Sequence, residues 1–93
     1  MKTMANPVPV DIPENTWTKV ATAVTAGKIK RLGVLPNLYI ETYRDTGDPA
    51  PTDQNEGAIM FYNGNTEEIT ATAAIDVYIM ALGANGKVRV DIV

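Results

Sequence analysis

Ala73-Ala-Ile-Asp-Val-Tyr-Ile-Met-Ala-Leu82, Gly83-Ala-Asn-Gly86 and Lys87-Val-Arg-Val-Asp-Ile-Val93 close the chain, and their pattern decides the fold class. In the last segment Val88, Val90 and Ile92 share one parity, and Lys87, Arg89 and Asp91 the other. That alternation is the period of a half-buried strand. In the first segment Ile75, Val77, Ile79 and Ala81 fall on one parity, and Tyr78, Met80 and Leu82 on the other. Only Asp76 interrupts an otherwise apolar stretch, so this strand calls for cover on both faces. Asn85-Gly86 supplies the residues that tolerate positive φ in a tight hairpin between the two strands. With no helix expected to cover it, the Tyr78, Met80 and Leu82 face is predicted to meet another subunit.

Working outward, the same punctuation recurs. Thr16 to Val24 is rich in β-branched residues and carries Trp17, so a strand is predicted there, delivered by a turn at Ile12-Pro13-Glu14-Asn15 and ended by a turn at Thr25-Ala26-Gly27. Lys28 to Val34 reads as a second strand whose apolar parity switches near Arg31-Leu32-Gly33, which a bulge at Gly33 would repair. After a turn at Leu35-Pro36-Asn37, Leu38 to Arg44 reads as a third. Ala58 to Tyr62 and Thr66 to Thr72 form a hairpin about Asn63-Gly64-Asn65. Seven short strands with no sustained helical period predict an all-β fold: one small antiparallel β-sandwich or jelly-roll-like barrel. Two regions lie outside this pattern. Residues 1–11, with Pro7, Val8, Pro9 and Val10, read as an extended arm, either a disordered tail or one that docks on a neighbouring subunit or partner surface, leaving residues 12–93 as the domain. Asp45 to Gly57 is a thirteen-residue loop without periodicity, expected to project outward.

Composition narrows the chemistry. The 93 residues contain no histidine and no cysteine. Imidazole bases, thiolate nucleophiles, disulfides and His or Cys metal sites are therefore excluded, and the chain is not expected to be an enzyme or to need a cofactor. A net charge of −3 and a pI near 4.7 speak against nucleic acid or an anionic membrane as partner. Lys28, Lys30 and Arg31 read as a local solvated face. No apolar run approaches the roughly 20 residues of a membrane-spanning helix, and residues 1–11 lack the apolar core of a signal peptide, so a soluble product made in the cytoplasm is expected. A core this small, burying about 60–65% of the unfolded surface, gains from oligomerisation. Trp17 is the natural anchor for a core or a subunit interface.

Three patterns invite a sharper reading. Asp45-Thr46-Gly47 resembles the catalytic tripeptide of retroviral-type aspartic proteases, which bury paired carboxylates among apolar residues; here Tyr43-Arg44 and Asp48-Pro49 flank it, as in a solvated turn. Asp45, Asp48, Asp53 and Glu56 gather in one loop, although their spacing does not follow the calcium-loop pattern. Tyr39, Tyr43, Phe61, Tyr62 and Tyr78, with Asp53, Gln54, Asn63 and Asn65 nearby, could present a sugar-binding face.

Ile12-Pro-Glu-Asn-Thr-Trp-Thr-Lys-Val20, Tyr39-Ile-Glu-Thr-Tyr-Arg-Asp-Thr-Gly47 and Ala74-Ile-Asp-Val-Tyr-Ile79, with the closing Lys-Val-Arg-Val-Asp91, resemble in style the small β-sandwich virion proteins of tailed bacteriophages, the head-decoration and fibre-associated class. The resemblance implies a non-enzymatic structural protein of the virion. It would be a homo-oligomer, with a trimer favoured, contacting a capsid or fibre protein. A capsid decoration role leads; a carbohydrate-binding module or a receptor-binding fibre or tail component is the alternative.

Overall fold

A computed structural model describes residues 8–33, 36–59 and 66–92, and it is all-β. The elements in chain order are β1 (Val8–Ile12), β2 (Thr18–Arg31), β3 (Asn37–Asp45), a single 3₁₀ turn (Gln54–Glu56), β4 (Ala58–Ile59), β5 (Thr66–Leu82) and β6 (Gly86–Ile92). All ladders are antiparallel, within one sheet of order β1-β6-β2-β5-β3-β4. Its five substantial strands are extended at one edge by the two-residue β4.

The sequence pattern divides the chain too finely. The expected turn at Thr25-Ala26-Gly27 is the interior of the fourteen-residue β2, and the strands expected over Thr66–Thr72 and Ala73–Leu82 are one seventeen-residue β5. Threonine, valine and isoleucine at close intervals keep both chains extended where small residues suggested turns. What replaces the turns is bulging. The β2–β5 register shifts between Lys19 and Ala21, between Ala21 and Val24, and between Val24 and Ala26. Ala23 lies there at φ 55°, a left-handed conformation that bends the strand without ending it.

These bulges divide each long strand into two working halves. The first half of β2 pairs Thr18–Val24 with Ile75–Ile79 of β5, whose other side is taken by β3. The second half pairs Ala26–Lys30 with Thr66–Thr70, while Gly27–Arg31 pair with β6 on the opposite side. The sheet then curls, because strands distant in its order meet. A Cβ placed on Gly86 of β6 would lie 2.7 Å from Leu38 Cδ2 and 3.3 Å from the Ala81 side chain, so glycine is needed there for space. Glu14, beyond β1, makes a parallel bridge to Ala81.

Inside the curl lies one apolar cluster that includes Ile12, Ile29, Leu38, Val77, Ile79, Ala81 and Val88, all buried. The alternation read in the closing strand holds, with Val88 and Val90 buried and Lys87 exposed. Its hairpin works differently from expectation. Gly83, at φ 82°, takes the left-handed conformation, and Gly86 begins β6. Asn85 Oδ1 instead accepts a hydrogen bond from the Glu14 N–H at 2.9 Å, and Asn15 Oδ1 accepts one from the Gly83 N–H at 2.9 Å. Two asparagines thus tie the β1–β2 turn to the β5–β6 turn.

Two further expectations change. Pro9 does not keep its segment out of the sheet, since Val8–Ile12 pairs with Val90–Gly86. β1 is the outermost strand among the described residues, a position in which a strand tolerates proline. Gly33, at φ 87°, lies beyond the end of β2 and is not a bulge within it. Arg31 is 1% exposed and lies on the face of Ile29 because its guanidinium donates to the Gly33 and Pro36 carbonyls. Pro7, Phe61, Tyr62 and the turn at Asn63-Gly64-Asn65 lie outside the described residues.

Candidate functional site

The register explains how the second face of β5 is covered. Tyr78 lies opposite Lys19 on β2 and Glu41 on β3, and Met80 lies opposite Tyr39, so these side chains share one face. Tyr78 is 6% and Met80 7% exposed within the single chain. The expectation that this face meets a second subunit is therefore corrected for these two residues. Leu82, at 38% exposure, remains open.

Trp17 meets the end of the Asp45–Gly57 loop, most of whose residues, Asp45, Asp48, Asp53 and Glu56 among them, are exposed. A Cβ on Gly57 would lie 2.6 Å from Trp17 Cη2 and 3.1 Å from the Ile40 carbonyl oxygen, so the indole edge rests on the glycine. Pro51 is buried, and Arg44 pairs with Glu56 across the loop. Trp17 thus serves this loop as an intrachain anchor.

Asp76, which read as an interruption, organises the neighbourhood. Its carboxylate is 1% exposed. It accepts from the Ala23 N–H at 2.9 Å, the Thr46 hydroxyl at 3.1 Å and the Gly47 N–H at 3.4 Å, and Lys19 Nζ lies 3.4 Å away. The bulge residue Ala23, at positive φ, donates its N–H here. The Ala23 hydrogen bond, then those from Gly47 and Thr46 and the Lys19 charge, outweigh desolvation and hold the Asp76 pKa below its ordinary 3.8. A lone acidic residue in an apolar strand was the available sequence signal for this site.

The loop carboxylates do structural work. Glu56 Oε2 accepts from the Thr52 N–H at 3.0 Å, the Asp53 N–H at 3.1 Å and the Thr52 hydroxyl at 3.3 Å. Asp53 Oδ1 accepts from the Asn55 N–H at 3.0 Å. The Asp48 N–H donates to the Asp45 carbonyl at 3.0 Å, while the Asp45 and Asp48 side chains are exposed. The Asp45-Thr46-Gly47 tripeptide is a turn fastened to Asp76, with Gly47 at φ 97°. Among the described residues no three His, Cys, Asp or Glu side chains converge as a cation site.

Beside this turn lies a cleft of about 480 Å³ between the end of β3 and the first half of β5. Tyr43, Asp45 and Thr42 form one wall, and Glu68, Thr70 and Thr72 the other. A bulge in β3 between Glu41 and Arg44 shapes it. The buried Glu41 carboxylate accepts from the Tyr43 N–H at 3.0 Å, and Tyr43 is left 88% exposed. Among the described residues no lysine or arginine lines the cleft. Along its floor β5 has an open side: β3 pairs only with Ile75–Leu82, and among the described residues no strand pairs with Thr66–Ala73 on the side away from β2.

Of the residues expected to make contacts, Val8–Val10 lie in the edge strand, Trp17 and Met80 belong to the covered face, and Asp45 alone of the four loop acids lines the cleft. No protein-family model, curated protein or solved structure matches this chain.

Proposed function

We propose that this chain is a non-enzymatic structural protein of a bacteriophage virion, a capsid-decorating subunit that acts through protein–protein contacts. In this reading the curled sheet works as a small sandwich or jelly-roll-like barrel, and copies assemble as a homo-oligomer, with a trimer favoured. The observation that carries it is the open side of β5 over Thr66–Ala73. An unpaired strand side offers backbone donors and acceptors for contact with another chain. With Tyr78 and Met80 buried within the single chain, assembly contacts fall to such edges and to the exposed Leu82. The protein is then made in the host cytoplasm and located in the virion.

Sedimentation with purified phage particles, followed by copy counting, tests the reading. Hundreds of copies per particle are expected for decoration, and a few would assign the chain to a fibre or tail. Absence from particles together with a monomer by light scattering would sink the proposal.

One observation favours a second reading, a carbohydrate-binding module or receptor-binding tip. Tyr43 stands exposed beside the Thr42, Thr70 and Thr72 hydroxyls and the Asp45 and Glu68 carboxylates, a mixture suited to sugar stacking and hydroxyl recognition. Saturable glycan binding lost on Tyr43→Ala is its signature. A glycan panel without a hit would remove it.

A further inference from the structure

We propose that the Tyr43 cleft receives residues 1–7 of a second copy as an added strand on the open side of β5. The inference rests on the assembly reading above and names the contact that makes the oligomer.

Three observations converge on this occupant. The first is backbone geometry: β2 pairs with Thr66–Thr70 on one side, and among the described residues no strand pairs with Thr66–Ala73 on the other. That run spans about 26 Å, and a seven-residue extended segment spans about 23 Å. The second is charge. Asp45 and Glu68 face the cleft, and among the described residues no lysine or arginine lines it. Residues 1–7, Met-Lys-Thr-Met-Ala-Asn-Pro, contain one charged side chain, Lys2. The exposed Tyr43 ring can take an aliphatic lysine stem or its ammonium. The third is hydrogen-bonding capacity. Pro7 is the single proline of that segment, so residues 2–6 each keep the N–H that a ladder needs.

Topology directs the contact between copies. Residues 1–7 lead into β1, at one end of the sheet order, whereas the open half of β5 adjoins β2 two places further in. A segment leaving one copy's edge and entering another's cleft is a head-to-tail contact, and such contacts close into rings when the rotation permits.

Charge exchange in the full-length protein tests this. Association of wild type, Lys2→Glu, Glu68→Lys and the double variant is measured by sedimentation and light scattering, with circular dichroism to verify folding. Glu68 is exposed. Each is expected to weaken association by about tenfold, and the double variant to recover to within about threefold of wild type. Tyr43→Ala should also weaken association by about tenfold. An oligomer indifferent to all four changes would overturn this inference alone and leave assembly through another surface. A wild-type monomer would overturn both it and the assembly reading.

Discussion

The two halves of β5 share one continuous backbone and live in different surroundings. From Ile75 to Ala81 every residue is buried, between β2 and β3 laterally and with Ile75, Val77, Ile79 and Ala81 in the apolar cluster. From Thr66 to Ala74 only Ile69 is fully buried, and one lateral side carries no described strand. The bulges opposite Ala23 mark the change. The halves also differ in composition, since Glu67, Glu68 and four alanine or threonine positions from Ala71 to Ala74 give way to Ile75, Val77, Tyr78 and Ile79, so the difference in cover follows the side chains as well as their placement.

The largest effect on this contrast should come from Asp76, which fastens the β2 bulge to the turn after β3. Asp76→Ala leaves the Ala23 N–H without its acceptor and frees Thr46 and Gly47. Thermal unfolding should show a greater drop in Tm for this change than for Trp17→Ala or Tyr43→Ala, on the order of 20 °C for a domain this small. The carboxylate's folded pKa lies below its ordinary 3.8. Its stabilisation is therefore present above that value and is lost as pH falls through the lower folded pKa. Wild type should lose stability across that acidic window, and Asp76→Asn should lose less. An unchanged acid profile in Asp76→Asn would mean that the carboxylate charge does not hold the bulge to the turn.

Trp17→Ala should come next. It removes the indole from Gly57, at a cost of about 2 kcal/mol, below that of a fully buried tryptophan because this one is half-buried. Limited proteolysis should then cut the Asp45–Gly57 segment sooner. A loop as resistant as in wild type would mean that Trp17 does not hold it. Tyr43→Ala should have the smallest effect on stability, within about 0.5 kcal/mol, because the ring is exposed. A Tm shift of several degrees would mean that Tyr43 supports the β3 bulge rather than a contact.

The all-β class and the buried alternation of Val88 and Val90 were legible in the sequence, because period-two patterning reports directly on a face being covered. The need for cover on both faces of Ile75–Leu82 was legible too; its source was not. Trp17 and Gly57 are distant in sequence, and only the fold brings the indole onto the glycine. Strand continuity through Ala26-Gly27 was hidden for a related reason. Gly27 meets the Asp91 carbonyl closely, where a Cβ would lie at 2.8 Å. The residue that suggested a turn is there for close approach between strands. Asp45, Glu56 and Asp53 looked equivalent as loop acids. Their hydrogen bonds separate them, two serving the loop's own backbone and one facing the cleft.

Amide hydrogen exchange along β5 tests the division most directly, measured residue by residue first in dilute and then in concentrated protein. In dilute protein, Ile75–Ala81 should exchange only through global opening, while alternate amides of Thr66–Ala73 on the side away from β2 exchange quickly; those same amides should gain protection as copies associate. Uniformly slow exchange along the whole strand in dilute protein would contradict an open first half.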